Sequence, residues 1–225
     1  MRILILSSCC STKDDAIPIE LGSKIIEPMY YLAGQELLKD MIDRREHIFR
    51  DPQACVGNRI TYAFDLYRNG HAYADLLEKD NHAKMKERLL SGDDIQWFFL
   101  SGGYGVIHAL EKAKKYQATF SKSIAYQKKI PFTAKIWGEM LVQICDDIIR
   151  KLSPSQIYVF GSQDYTNFIK RTNFWSSSAN VKMFESTGSS GPNWLSPKLN
   201  NLAVAILNND LDAFDDKHPN KFYKQ

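Results

Sequence analysis

Three carboxylates stand where the surrounding residues could turn them to chemistry: Asp65, Glu139 and Asp164. Asp65 sits between Phe64 and Leu66, with Tyr67 beyond it; Glu139 follows Trp137-Gly138, and Asp164 precedes Tyr165. A carboxylate among apolar and aromatic residues is costly to leave unpaired, so it is either in an ion pair or at work as an acid or base. Tyr104 adds a phenol within Ser101-Gly102-Gly103-Tyr104-Gly105. There Gly102, Gly103 and Gly105 let another group approach the main chain closely. A second set of residues suits an anion. The run Ser7-Ser8-Cys9-Cys10-Ser11-Thr12-Lys13 gathers hydroxyls, thiols and one lysine, which together with backbone N–H groups can hold a negative charge. Ser8, Cys9, Lys13, Ser101 and Ser162 are its binding candidates. No Walker pattern is present, so a triphosphate loop is not indicated. A third set lies in Glu111–Ile130, where Lys112, Lys114, Lys115, Lys122, Lys128 and Lys129 face one acid, Glu111, with Tyr116, Phe120 and Tyr126 interleaved. Lysines can contact phosphates while aromatics stack on bases, and an ordinary solvated loop is the competing reading.

Metal and cofactor chemistry is not expected. The five histidines are scattered without paired ligand spacing, and Cys9, Cys10, Cys55 and Cys145 form no CxxC pair. With 225 residues, 44% hydrophobic and 24% charged, the chain reads as one soluble globular domain. A net charge of +3 is too mild to indicate nucleic acid alone. No apolar run is long enough for a membrane span, and a reduced, cytoplasmic setting is expected.

Short apolar runs at 2–6, 97–100, 156–160 and 181–184 predict strands, and they alternate with amphipathic stretches that predict helices. Helices are expected within 30–49, 71–90, 131–152, 163–168 and 199–211. This alternation predicts an α/β fold whose largely parallel sheet is flanked by helices, as a single domain over 1–214 with a frayed tail over 215–225. Hydroxyl- or glycine-rich turns follow each strand, including Ser186–Ser190. At the carboxyl ends of parallel strands such turns converge, so residues 7–13, 65–67, 101–105 and 162–165 are expected to form one cleft.

An ordered set of segments resembles a known family. Leu100-Ser101-Gly102-Gly103-Tyr104-Gly105-Val106, Ala109-Leu110-Glu111 with Tyr116, Trp137-Gly138-Glu139 and Ser162-Gln163-Asp164-Tyr165 resemble the YaaA peroxide-stress family. Its pattern reads LSGxYGV, PLD, PY, WGD and SDEY. Asp65-Leu66-Tyr67 is similar to its DVYTG element, and Ser8–Lys13 resembles the SCSKTK opening of shorter relatives. Alanine replaces the proline of PLD at Ala109, glutamate its acid at Glu111, and Lys115 replaces the proline of PY. The resemblance implies a YaaA-like α/β fold associated with DNA, and by analogy a link to base or nucleoside chemistry. Cleaving an N-glycosidic bond develops positive charge on the sugar and calls for a carboxylate beside it. Asp65, Glu139 and Asp164 are the candidates, Tyr104 with them, while Tyr67, Glu111, Tyr116 and Tyr165 are expected around the substrate. DNA, a nucleoside or a nucleotide is the expected partner. A non-catalytic DNA-binding protein and a small-molecule nucleotide binder or hydrolase are the alternatives.

Overall fold

The computed structural model describes residues 2–186, 194–214 and the backbone of 221–223. Five of its strands are β1 (Ile3–Ser8), β3 (Ile95–Ser101), β4 (Gly105–His108), β6 (Gln156–Ser162) and β7 (Asn180–Ser186), taken in chain order with β2 (Ile60–Tyr62) and β5 (Lys112–Lys114) set apart as a small antiparallel pair. With β8 (Lys221–Tyr223), the main sheet runs in the order β4-β3-β1-β6-β7-β8. Its four central strands are parallel, and β4 and β8 close the two edges antiparallel. The tail expected to fray therefore contributes an edge strand.

Burial on both faces explains why the central strands read as unbroken apolar runs rather than alternations. Trp97 and Phe99 pack on one face, against Phe64 and Tyr73. Between them Phe98 packs on the other, against Tyr31 and His108. The first face is covered by α3 (Ala74–Glu78), α4 (Asn81–Ser91) and α8 (Leu195–Leu207); the second by α1 (Gln35–Phe49), α6 (Ala134–Leu152) and α7 (Gln163–Ile169). The helical stretch expected over 71–90 is divided into a short turn at 71–73 followed by α3 and α4, and 30–34 stands outside α1. The short helix α2 (Ala63–Leu66) packs on the first face through Phe64, and α5 (Lys122–Lys128) lies in the segment that reaches over the sheet's carboxyl edge. No helix among the described residues is long and apolar enough to cross a membrane.

From β1 the chain crosses to β3 on one side, while β6 adds on the other. This divergence leaves a crevice at the carboxyl ends of β1 and β6, the place where open α/β sheets take ligands.

Candidate functional site

A cavity of about 330 Å³ occupies that crevice. Its floor comes from the turns after β1 and β6: Ser8, Cys9, Cys10, Ser11 and Lys13 from the first, Ser162, Asp164 and Tyr165 from the second. Ser186 closes the end at β7; the rest of the Ser186–Ser190 turn falls outside the described residues. The tip of β1 is held by Trp97 Nε1 and Tyr73 Oη, which both donate to Ser7 Oγ, at 2.8 and 3.1 Å. Cys9 N donates to Leu100 O at 2.7 Å, tying the loop to the neighbouring strand.

The opposite wall is the lysine-rich segment. Gln117, Thr119, Ser121, Ile124, Lys128 and Ile130 line the cavity. Ser121, which precedes α5, and Ile124 and Lys128 within it fall at the helical spacing of three and four and line the cavity together, while Tyr126 stays 89% exposed. The segment is anchored at both ends. Gln117 N donates to Ala54 O at 2.6 Å, and Thr133 N to Thr119 O at 3.0 Å. Phe120 packs on Tyr165 with ring centroids 4.8 Å apart, which presses the wall onto the end of β6.

Of the six lysines of this segment, Lys128 lines the cavity; Lys112, Lys114, Lys115, Lys122 and Lys129 are exposed and are not among its lining residues. Lys13 is different. It is 7% exposed, its Nζ donates to Cys10 O at 2.9 Å and lies 4.2 Å from the centroid of the Tyr116 ring. It makes no ion pair among the described residues. Burial lowers its pKa below the usual lysine range, against the upward pull of Cys9 and Cys10 and with a smaller push the same way from Lys128 and Lys115. Cys10 donates from Sγ to Thr12 O at 2.6 Å, and burial pushes its thiol up to about 12, so it stays neutral. Cys9 Sγ lies 3.5 Å from Tyr165 Oη.

The remaining residues singled out in the sequence lie elsewhere. Asp65 is 1% exposed and takes Lys86 Nζ at 2.7 Å on the α4 side, away from the cavity. Glu139 is on the surface, its side chain 71% exposed and paired with Arg171. Glu111 is buried in an ion pair with Arg45 at 2.5 Å and accepts from Tyr31 Oη at 2.8 Å. Tyr104 is buried too, and its hydroxyl accepts from Lys114 N at 2.7 Å. Ser101, Tyr67 and Tyr116 form a closed hydroxyl cluster behind the cavity wall, with Ser101 Oγ to Tyr116 Oη at 2.6 Å and Tyr67 Oη to Tyr116 Oη at 3.0 Å.

The glycine-rich turn is used for packing. A Cβ on Gly102 would come within 2.5 Å of Ala118 O in the wall segment. Gly105 has φ +72°, and Trp137 fills the space its Cβ would take, at 2.6 Å. The close approach that the glycines permit is made by the chain itself, so 101–105 supports the cavity wall from behind. Of the expected cleft, the structure brings together 8–13 and 162–165; 65–67 and 101–105 stand one layer back. The sequence reading missed His71, Gln117, Thr119 and Leu195 in the lining. Only the hydroxyl-rich composition around 117–123 hinted at this.

No family model matches the chain, and no curated protein matches its sequence.

Proposed function

We propose that the protein is a YaaA-like, nucleic-acid-associated enzyme that acts on a base or nucleoside N-glycosidic bond in this cavity. The observation that carries the proposal is the cavity's chemistry: one carboxylate, Asp164, shares a small crevice with two lysines, Lys13 and Lys128. The volume is at the lower end of the range for small-molecule sites. It suits a single nucleoside, so a base in a duplex would have to be flipped out to enter. In this reading Lys128 and the hydroxyls of Ser8, Ser11 and Ser162 take the phosphate, and Asp164 stabilises the positive charge that develops on the sugar as the base departs. Tyr165 supplies an aromatic wall for the base. A second reading, a nucleotide binder without turnover, is favoured by one observation: Asp65, Glu139 and Tyr104 lie outside the cavity.

Base release separates the two. The protein is incubated with nucleotides and single-stranded oligonucleotides bearing unmodified and modified bases, and free base is detected by mass spectrometry. Asp164→Asn lowers release by roughly 100- to 10,000-fold with an unchanged melting temperature, because Asp164 is exposed and makes no ion pair among the described residues. Release at the wild-type rate in this variant refutes Asp164's role. Binding of a nucleoside monophosphate with no base released from any substrate establishes the binder.

A further inference from the structure

N-glycosidic cleavage by a pair of carboxylates uses the second one to activate water or to attack the sugar itself. This cavity has no second carboxylate among its described lining residues; it has a buried amine. We propose that Lys13 Nζ is the nucleophile of the site, attacking the anomeric carbon of a pentose phosphate and holding the sugar as a covalent imine. This rests on the nucleoside reading of the cavity and adds a covalent step to it.

The geometry sets Lys13 apart from a structural lysine. A buried lysine that stabilises a fold is held by a carboxylate, and the next residue in the chain, Asp14, is one. Asp14 is instead turned to Arg68, 2.6 Å from Nη2, and to Asn69 at 2.9 Å. Lys13 is left with a backbone carbonyl and the face of Tyr116, at the edge of a cavity. The titratable and charged groups facing it are the thiols of Cys9 and Cys10 from its own loop, Tyr116 and Lys115 from the segment above, and Lys128 from α5. Desolvation, with Lys128 and Lys115 nearby, lowers the Lys13 pKa against the opposite pull of Cys9 and Cys10, the direction that makes a lysine a better nucleophile. The adjacent Cys10 does not compete, because its thiol is held neutral.

The step balances without an oxidant or reductant. The neutral amine's lone pair forms an N–C bond to the anomeric carbon. The bond from that carbon to the base breaks, its electron pair leaves with the base, and a proton passes from the new ammonium to the base nitrogen. The nitrogen lone pair then forms the imine as the ring oxygen leaves the same carbon and takes up a proton. Water adds to the imine carbon and releases the open-chain aldehyde sugar and the free amine.

2-Deoxyribose 5-phosphate is the probe, since its open form already presents the aldehyde. Incubated with the full chain and reduced with cyanoborohydride, it is expected to leave one sugar phosphate per protein, located on Lys13 by peptide mass spectrometry. Lys13→Arg keeps the charge, lacks a comparable nucleophile and is expected to lose that adduct, its folding checked by melting temperature. An adduct spread over surface lysines with Lys13 unmodified, an adduct on Cys9, or none at all overturns the proposal; each is read on the wild-type protein and needs no variant to fold. Base release assayed beside it distinguishes the two readings. Free base without a Lys13 adduct leaves the glycosidic reading standing and removes the nucleophile, whereas a Lys13 adduct without release from any intact nucleotide keeps the imine and removes the glycosidic reaction.

Discussion

Replacing Glu111 with glutamine tests whether this acid is a ligand contact or part of the scaffold. Glu111 is 4% exposed, and its Oε1 meets Arg45 Nη1 at 2.5 Å while Oε2 accepts from Tyr31 Oη at 2.8 Å and His108 N at 3.3 Å. Arg45 in turn donates to Tyr104 O at 2.9 Å and to Val106 O at 2.7 Å, so it pins both ends of the turn between β3 and β4. Burial pushes the Glu111 carboxyl above its usual range, against the pull of Arg45. The amide of Glu111→Gln preserves shape and one acceptor but leaves the guanidinium in the interior without its counter-charge. Removing one partner of a buried pair costs about 3–5 kcal/mol. Unfolding entropy for a chain of 225 residues is about 0.47 kcal/mol/K, so the melting temperature falls by roughly 6–11 °C. Arg45→Met with Glu111→Leu removes both charges and recovers most of that loss. Thermal unfolding followed by circular dichroism reads both variants, with nucleotide binding measured on each. An unchanged melting temperature in Glu111→Gln with binding abolished would refute the scaffold assignment and return Glu111 to the ligand.

Two further outcomes are expected. Burial lowers the His108 pKa from 6.5 to about 3, so the folded protein keeps this ring neutral while the unfolded chain protonates it near its ordinary value. The unfolded state therefore binds more protons between those two values, and stability is lost as pH falls through that window, by up to about 1.4 kcal/mol per unit from this group. His108→Asn keeps an acceptor for Leu110 N, which His108 Nδ1 takes at 3.0 Å. Urea unfolding across pH should then show a flatter acid limb, even from a lower baseline, and an identical limb would discount His108. Gly102→Ala places a methyl 2.5 Å from Ala118 O, an overpacking that costs about 1–3 kcal/mol. Trypsin should cut sooner at Lys122 or Lys128 as the wall segment shifts; wild-type cutting and melting would show that the turn does not hold the wall.

The strands were legible because burial on both faces writes an unbroken apolar run, and the turns at 8–13 and 162–165 because hydroxyl-rich residues gather at parallel strand ends. What the chain could not disclose was which group uses a permissive backbone. Gly102 and Gly105 are spaced as a ligand-approach turn would be, yet Ala118 and Trp137 fill the room they leave, and both partners come from later in the chain. Asp65 was correctly flagged by its aromatic flanks as a carboxylate needing an answer. The answer, Lys86, sits 21 residues away on another helix. Glu139 was misleading for a geometric reason: residues two apart near a helix start point to different sides, so buried Trp137 says nothing of its neighbour's surroundings. His71 and Gln117 reach the cavity only because the segments carrying them fold over the sheet's edge, which no local pattern encodes.

The buried charges point to where the fold ends and the site begins. Glu111 has Arg45, Asp65 has Lys86, and Glu185 has Lys170 at 2.6 Å. Asp147, 2% exposed, accepts from the N–H groups of Ala33 and Gly34 at 2.6 and 3.2 Å and pairs with Arg150. Each of these groups holds two elements together, and each stands away from the cavity. His108, whose Nε2 has no partner, avoids the cost by staying neutral. Lys13 is the buried lysine or arginine that has no carboxylate among the described residues. A protein under selection for stability alone would resolve that position with an acid or an apolar side chain of similar volume. Its place in the floor of the crevice between β1 and β6 is therefore the strongest physical reason to look for the ligand there.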